Sequence, residues 1–176
     1  MPKRVAIAAA DKAIALDPSR ANAYVQKGYA LFRQASKAEG DARKSAFNAA
    51  IKPFVALNAL ENDHPLPLIY FYRAQVARGM APNENARAAL ERAAVLAPFD
   101  KSLQIQAGIM LLGEGNIAYA RSILAPVAAN PHGGWAAAKA KQLLAVMANA
   151  PDGTPLQLGN LPDPVEVPEV EAPDPA

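Results

Sequence analysis

The chain has 176 residues, long enough for one ordinary domain with a sizeable core. It is 52% apolar with only 6% aromatic residues and has no cysteine, which excludes disulfides, thiolate metal sites and a cysteine nucleophile. The net charge of +2 is unevenly spread: Pro151 onward holds six acidic residues and no Lys or Arg, leaving 18 basic against 10 acidic side chains in the body before it.

Alanine dominates the apolar fraction, and alanine is the best helix former and lets helices approach closely. The fold class expected is therefore all-α. The start, MPKRVAIAAADKAIALDP, is basic and then alanine-rich, but Asp11 and Lys12 interrupt it and no cleavage pattern stands out. It predicts a helix over 4–16, not a signal peptide. Further helices are predicted over 21–35, 42–62, 66–79, 84–97, 101–113, 117–129 and 134–149. No apolar run approaches the roughly 20 residues of a membrane span, so none is expected. Gly40 and Asp41 read as a break and an N-cap. Pro53 falls inside the apolar-periodic stretch AFNAAIKPFVALNAL. It implies either one long helix kinked near Ala49, the reading preferred, or two helices meeting with Pro53 in a first turn. In the final helix Trp135, Leu143, Leu144 and Met147 are expected to cover the preceding pair, with Lys139 and Lys141 facing water. Residues 151–176 hold seven of the 16 prolines and read as a disordered, polyproline-like acidic tail. The domain division expected is 1–150 helical and 151–176 disordered.

Pro18, Pro65, Pro98 and Pro131 each close a helix-like run, at intervals of 47, 33 and 33 residues. A proline cannot continue the helix before it and disfavours helical geometry in its predecessor. Aligned on these prolines, small residues coincide at Gly28, Ala74 and Gly108, with Tyr24 and Tyr70 four places earlier. Ala86 and Ala120 open second helices, and Leu90 and Leu124 follow on the same face. Gly115 ends a first helix where a left-handed residue is wanted. Self-similarity near 34 residues signals stacked helix pairs.

In these residues the chain resembles a tetratricopeptide repeat over roughly Ala6–Ala148. ALERAAVLAP and AIALDP are similar to the family's second-helix ending, and YVQKGYALF to its first helix. Lys27, Arg73 and Gln104 depart from the pattern. The resemblance implies a right-handed α-solenoid of three to four antiparallel helix pairs. Helix 4–16 would then be the second half of an incomplete pair. A weaker resemblance, from YFYRAQVARG through ARSILAPVAANPHGGWAA, is to the C-terminal repeat region of longer proteobacterial proteins that begin with a peptidase-like domain of unknown function. It implies a bacterial repeat fragment or a stand-alone relative, with no activity carried over. The first proline interval is about a dozen residues too long for the repeat. The excess lies in ASKAEGDARKSAFNAA and is expected as a loop-tip insertion, the preferred reading, or as an arm reaching a partner.

No HExxH, GxSxG, P-loop or paired-carboxylate constellation is present. His64 and His132 sit in the turn contexts DHP and PHGG, where Asp63 is expected to satisfy nearby backbone. No catalysis, cofactor or metal is therefore expected. Lys and Arg are scattered without aromatic interleaving, so nucleic acid is not expected either.

The family's groove positions, carried over, are Asn22, Val25, Tyr29, Phe32 and Arg33, then Leu68, Phe71, Gln75 and Arg78, then Ser102, Ile105, Ile109 and Leu112. The resemblance thus implies an adapter whose concave groove takes an apolar or amphipathic peptide or helix of a protein partner. Another occupant considered is the chain's own tail, whose Leu156, Leu158, Leu161, Val165, Val167 and Val170 alternate with acids that would meet Arg33 and Arg78. The same thirteen positions belong to the core if the repeat phase is shifted. A structural or homodimerisation module is the alternative function. The protein is expected to be soluble, cytoplasmic or periplasmic.

Overall fold

The computed structural model describes residues 2–159 together with 161 and 164. Among these are eight helices and no strand: α1 Pro2–Leu16, α2 Ala21–Ala35, α3 Gly40–Leu60, α4 Pro65–Ala77, α5 Glu84–Leu96, α6 Lys101–Glu114, α7 Ile117–Ala128 and α8 Gly134–Val146. All eight expected helices are present, because the signals that bound them are local. Three have side-chain N-caps: the Leu66 N–H donates to His64 Nδ1 at 3.2 Å, the Ala86 N–H to Asn83 Oδ1 at 2.9 Å, and the Leu103 N–H to Asp100 Oδ1 at 3.0 Å. His64, not the neighbouring Asp63, is thus the residue that satisfies backbone before α4. Gly115 ends α6 at φ 83°, the left-handed conformation expected of it.

No helix among the described residues is long and apolar enough to cross a membrane. The helices group into two units, Met1–Ala97 and Pro98–Ala176.

In the first unit each of α1 to α4 packs on the next. α3 is one continuous helix with Pro53 buried inside it, and its first turn holds Asp41, while Glu39 takes the N-cap position without a side-chain bond. Of the stretch ASKAEGDARKSAFNAA, residues 36–39 form the turn between α2 and α3, and the rest from Gly40 forms the opening turns of α3, where Phe47 is fully buried. Arg43 anchors the same turns, donating from Nε to Ala77 O at 2.7 Å and from Nη1 to Ser36 O and Ala38 O at 3.2 Å each. The Arg43–Ala77 bond joins the start of α3 to the end of α4, so the two run antiparallel. Where α2 crosses α3, Gly28 lies against the Phe54 ring, and a Cβ there would come within 2.5 Å of Cζ. Phe54 stacks on Tyr70 with ring centres 4.3 Å apart, and Phe32 meets Phe47 and Tyr70 edge-on at 4.9 and 4.8 Å. Burying each such side chain contributes about 1.5–3 kcal/mol.

In the second unit α6 packs on α7 and α7 on α8, with α8 also touching α6. Gly108 permits the first crossing, since a Cβ there would meet Leu124 at 2.7 Å. Arg121 on α7 donates to Met147 O at 3.1 Å, tying an early turn of α7 to the end of α8. Leu143 and Met147 are fully buried, and Lys141 is exposed. Lys139, expected in water, is only 7% exposed, and its ammonium lies 3.5 Å from Leu161 O of the returning chain. Disorder was expected to begin at Pro151, but the chain just beyond it is hydrogen-bonded to this unit. The Gly153 N–H donates to Gly115 O and the Leu156 N–H to Leu112 O, each at 2.8 Å. Val165, Val167 and Val170 lie outside the described residues.

Candidate functional site

The first unit carries an apolar groove between α3 and α4, of ≈ 200 Å³, lined by Ile51, Phe54, Val55, Asn58, Pro67, Leu68 and Phe71. It exists because both helices present apolar residues along the seam. Ile51, Phe54, Val55 and Asn58 recur at helical spacing and share one face of α3. Pro67 belongs to the first turn of α4, with Leu68 and Phe71 following on adjacent turns. Val55 is 62% exposed, so an apolar side chain stands in water on one wall. Asn58 is the only polar residue in the lining.

Charge flanks the groove at both ends of the seam. The Arg78 guanidinium donates from Nη1 to Asn48 Oδ1 at 2.8 Å and from Nε to Ala74 O at 3.1 Å. Asn48 is three residues, about one turn, before Ile51 on α3. At the opposite end, the α3–α4 turn exposes Glu61 and Asp63.

The thirteen expected groove residues are not all on one open surface. Leu68 and Phe71 line the α3–α4 groove. Arg78 is not in the groove lining, and its donors are engaged by Asn48 and Ala74. Asn22 and Arg33 are exposed on α2 but are not among the groove residues. Val25 is a correction: it is buried with Phe54 and Leu57. Tyr29 and Phe32 belong to the aromatic cluster, Tyr29 lying 5.4 Å from Tyr70 and 6.2 Å from Phe54. Gln75 is a correction too. It is buried, donating to Asn83 Oδ1 at 3.2 Å and accepting from the Asn83 N–H at 2.9 Å, so it organises the α4–α5 turn.

In the second unit, taken by itself, Ile105 and Leu112 are buried, against expectation, while Ser102 and Ile109 are exposed. The physical reason is common to these cases. Each of α2, α4 and α6 buries surface against two other helices of its own unit, so little of it remains for a ligand.

Ile51, Phe54, Val55, Asn58 and Pro67 were missed. Their signal was present as the apolar i, i+3, i+4 pattern around Pro53, but the family's groove rule assigns ligand contacts to first helices only.

The two histidines have local roles, His64 as a helix cap and His132 with its N–H donating to Asn130 Oδ1 at 2.9 Å. Among the described residues no group of three or more His, Cys, Asp or Glu is placed to hold a metal ion. No family model, curated protein or solved structure matches the chain.

Proposed function

We propose that the protein is a divergent tetratricopeptide-like repeat module whose helix pairs stack in the right-handed sense within each unit. Its role on this reading is to bind a protein partner as an adapter, through the apolar face of an amphipathic helix laid along the α3–α4 groove. The observation that carries the reading is that groove, with six apolar residues and one asparagine in its lining. Its size argues for side-chain anchors and against a cofactor. At ≈ 200 Å³ it falls below the roughly 300–1,000 Å³ of small-molecule sites, yet it accepts one or two protruding apolar side chains. The exposed Val55 and the half-buried Phe71 gain by being covered. The partner's polar face should be acidic, because Met1–Ala97 holds 14 basic against 8 acidic side chains.

A random-peptide display selection on the intact chain tests this. Binders should carry apolar residues at i, i+3 or i+4 with acidic neighbours. They should lose at least about tenfold in affinity on Val55→Asp, equivalent to one buried apolar contact. Val55 is on the surface, so the variant should keep its helical circular dichroism. Binders without that pattern, or binders indifferent to Val55→Asp, would refute the assignment.

A further inference from the structure

The chain after α8 turns back onto the second unit and makes four directional contacts. Asp152 Oδ1 accepts from the Ala118 N–H at 3.1 Å. The Gly153 N–H donates to Gly115 O, and the Leu156 N–H to Leu112 O, each at 2.8 Å. Leu161 O accepts from Lys139 Nζ at 3.5 Å.

Three of the contacts fall at helix ends, and the fourth is to a side chain in the middle of α8. Ala118 is the second residue of α7, and its N–H has no partner within that helix. The α7 N-cap, Asn116, makes no side-chain capping bond, so a carboxylate arriving from Asp152 supplies what the local sequence omits. Leu112 and Gly115 are at the C-terminal end of α6, where Leu112 O already accepts from the Gly115 N–H at 3.1 Å and Gly115 O from the Ile117 N–H at 2.9 Å, so the returning N–H groups add a second donor to each carbonyl. Gly115 is also the floor on which the returning backbone rests. A Cβ there would lie 2.8 Å from Gly153 C and 2.9 Å from Pro155 N. The surface therefore reads a peptide in order: a carboxylate, an N–H beside it, a second N–H three residues on, an apolar side chain, and a carbonyl at Lys139.

The segment itself is lightly held. Asp152, Gly153, Thr154 and Pro155 are exposed, and Leu156, Leu158 and Leu161 are only half-buried. Few apolar contacts and exposed hydrogen bonds mark a segment that opens without global unfolding.

We propose that the end of α6, the start of α7 and Lys139 form a docking surface for an extended acidic–apolar peptide, occupied in cis by the chain's own Asp152–Leu161 as a releasable latch. The chemistry selects a segment with an Asp-Gly pair followed by an apolar residue three positions after the glycine. The charge of the latch matters at one end, where it meets the helix N-terminus, and its backbone matters along the rest.

Lys139 and Lys141 provide the readout, since one lies under the latch and the other in water. The intact chain is treated with an amine-reactive acetylating ester, and each lysine is followed by mass spectrometry. Lys139 should label much more slowly than Lys141. In the Asp152→Ala/Leu156→Asp double variant Lys139 should speed up by about tenfold or more while Lys141 stays unchanged, as expected for losing one charge-assisted hydrogen bond and one apolar contact. Excess synthetic peptide of residues 151–164 should restore its protection. If the double variant loses helical circular dichroism, Asp152→Ala alone is used. The amide of Ala118 should then lose hydrogen-exchange protection while α6 keeps its own. Equal labelling of the two lysines in the wild type, or a Lys139 rate untouched by the variants, would overturn the latch. Release without rescue by the peptide would overturn the docking surface. Protection that rises with protein concentration would overturn the cis arrangement in favour of exchange between copies.

Discussion

Gly28→Ala should destabilise the first unit, although alanine is the better helix former. In an exposed helix interior that replacement stabilises by about 0.5–1 kcal/mol. At Gly28 the new Cβ would sit 2.5 Å from Phe54 Cζ and 2.6 Å from Cε2, so the ring must withdraw by 0.9 Å to reach ordinary contact at 3.4 Å. It has little room. Phe54 is 1% exposed, stacked on Tyr70 at 4.3 Å and flanked by Tyr29 at 6.2 Å. Overpacking of this kind costs about 1–3 kcal/mol, and set against the propensity gain of about 0.5–1 kcal/mol it leaves a net loss centred on about 1 kcal/mol. Urea unfolding followed by far-UV circular dichroism measures it, with hydrogen exchange in α2 and α3 locating the change. Gly113→Ala is the matched control. That glycine is also helical, has nothing within 4 Å of a built Cβ, and should be neutral to stabilising by up to about 0.5–1 kcal/mol. Adding Phe54→Leu to Gly28→Ala should cost less than the two single changes summed, because the smaller side chain relieves the clash. A Gly28→Ala protein as stable as the wild type would refute the close crossing of α2 and α3.

Two further outcomes are expected. Arg43→Met keeps much of the side-chain length but removes the bonds to Ala77, Ser36 and Ala38, of which those to Ala77 and Ala38 are part-buried. It should cost about 1–3 kcal/mol in urea titration, with lost amide protection at the start of α3. At Asp17 the Ser19 hydroxyl, and after it the Ser19 N–H, donate to the carboxylate and hold its pKa below the ordinary aspartate value. A depressed folded-state value means that this turn's contribution is present above the unfolded pKa and is lost as pH falls through the folded one. Ser19→Ala should move the Asp17 titration upward, as read by carbon-13 NMR of its carboxyl.

The helices were legible because the residues that bound them act over a few positions. Pro18, Pro98 and Gly115 fall in the turns between helices, Pro65 opens α4, and Asn83 and Asp100 cap through their own backbone neighbourhood. Pro53 could be read as an internal proline for the same reason, and Gly28 and Gly108 as crossing points from their shared place in the repeat. Burial was harder to assign, because it depends on which elements press on a helix from outside. Val25, Gln75, Ile105 and Leu112 hold plausible groove positions in a first helix, and only the packing of neighbouring elements placed them inside. The groove took shape from the meeting of Ile51, Phe54 and Val55 on α3 with Leu68 and Phe71 on α4. Lys139 reads from sequence as a solvated helix position. It is buried, and its ammonium meets the carbonyl of Leu161 about twenty residues later, a separation no local pattern encodes. Asp152 caps a helix that begins 35 residues earlier, at Ile117. Such pairings are long-range, and they were decided only when the tertiary structure brought a carboxylate to an N–H that α7 could not satisfy for itself.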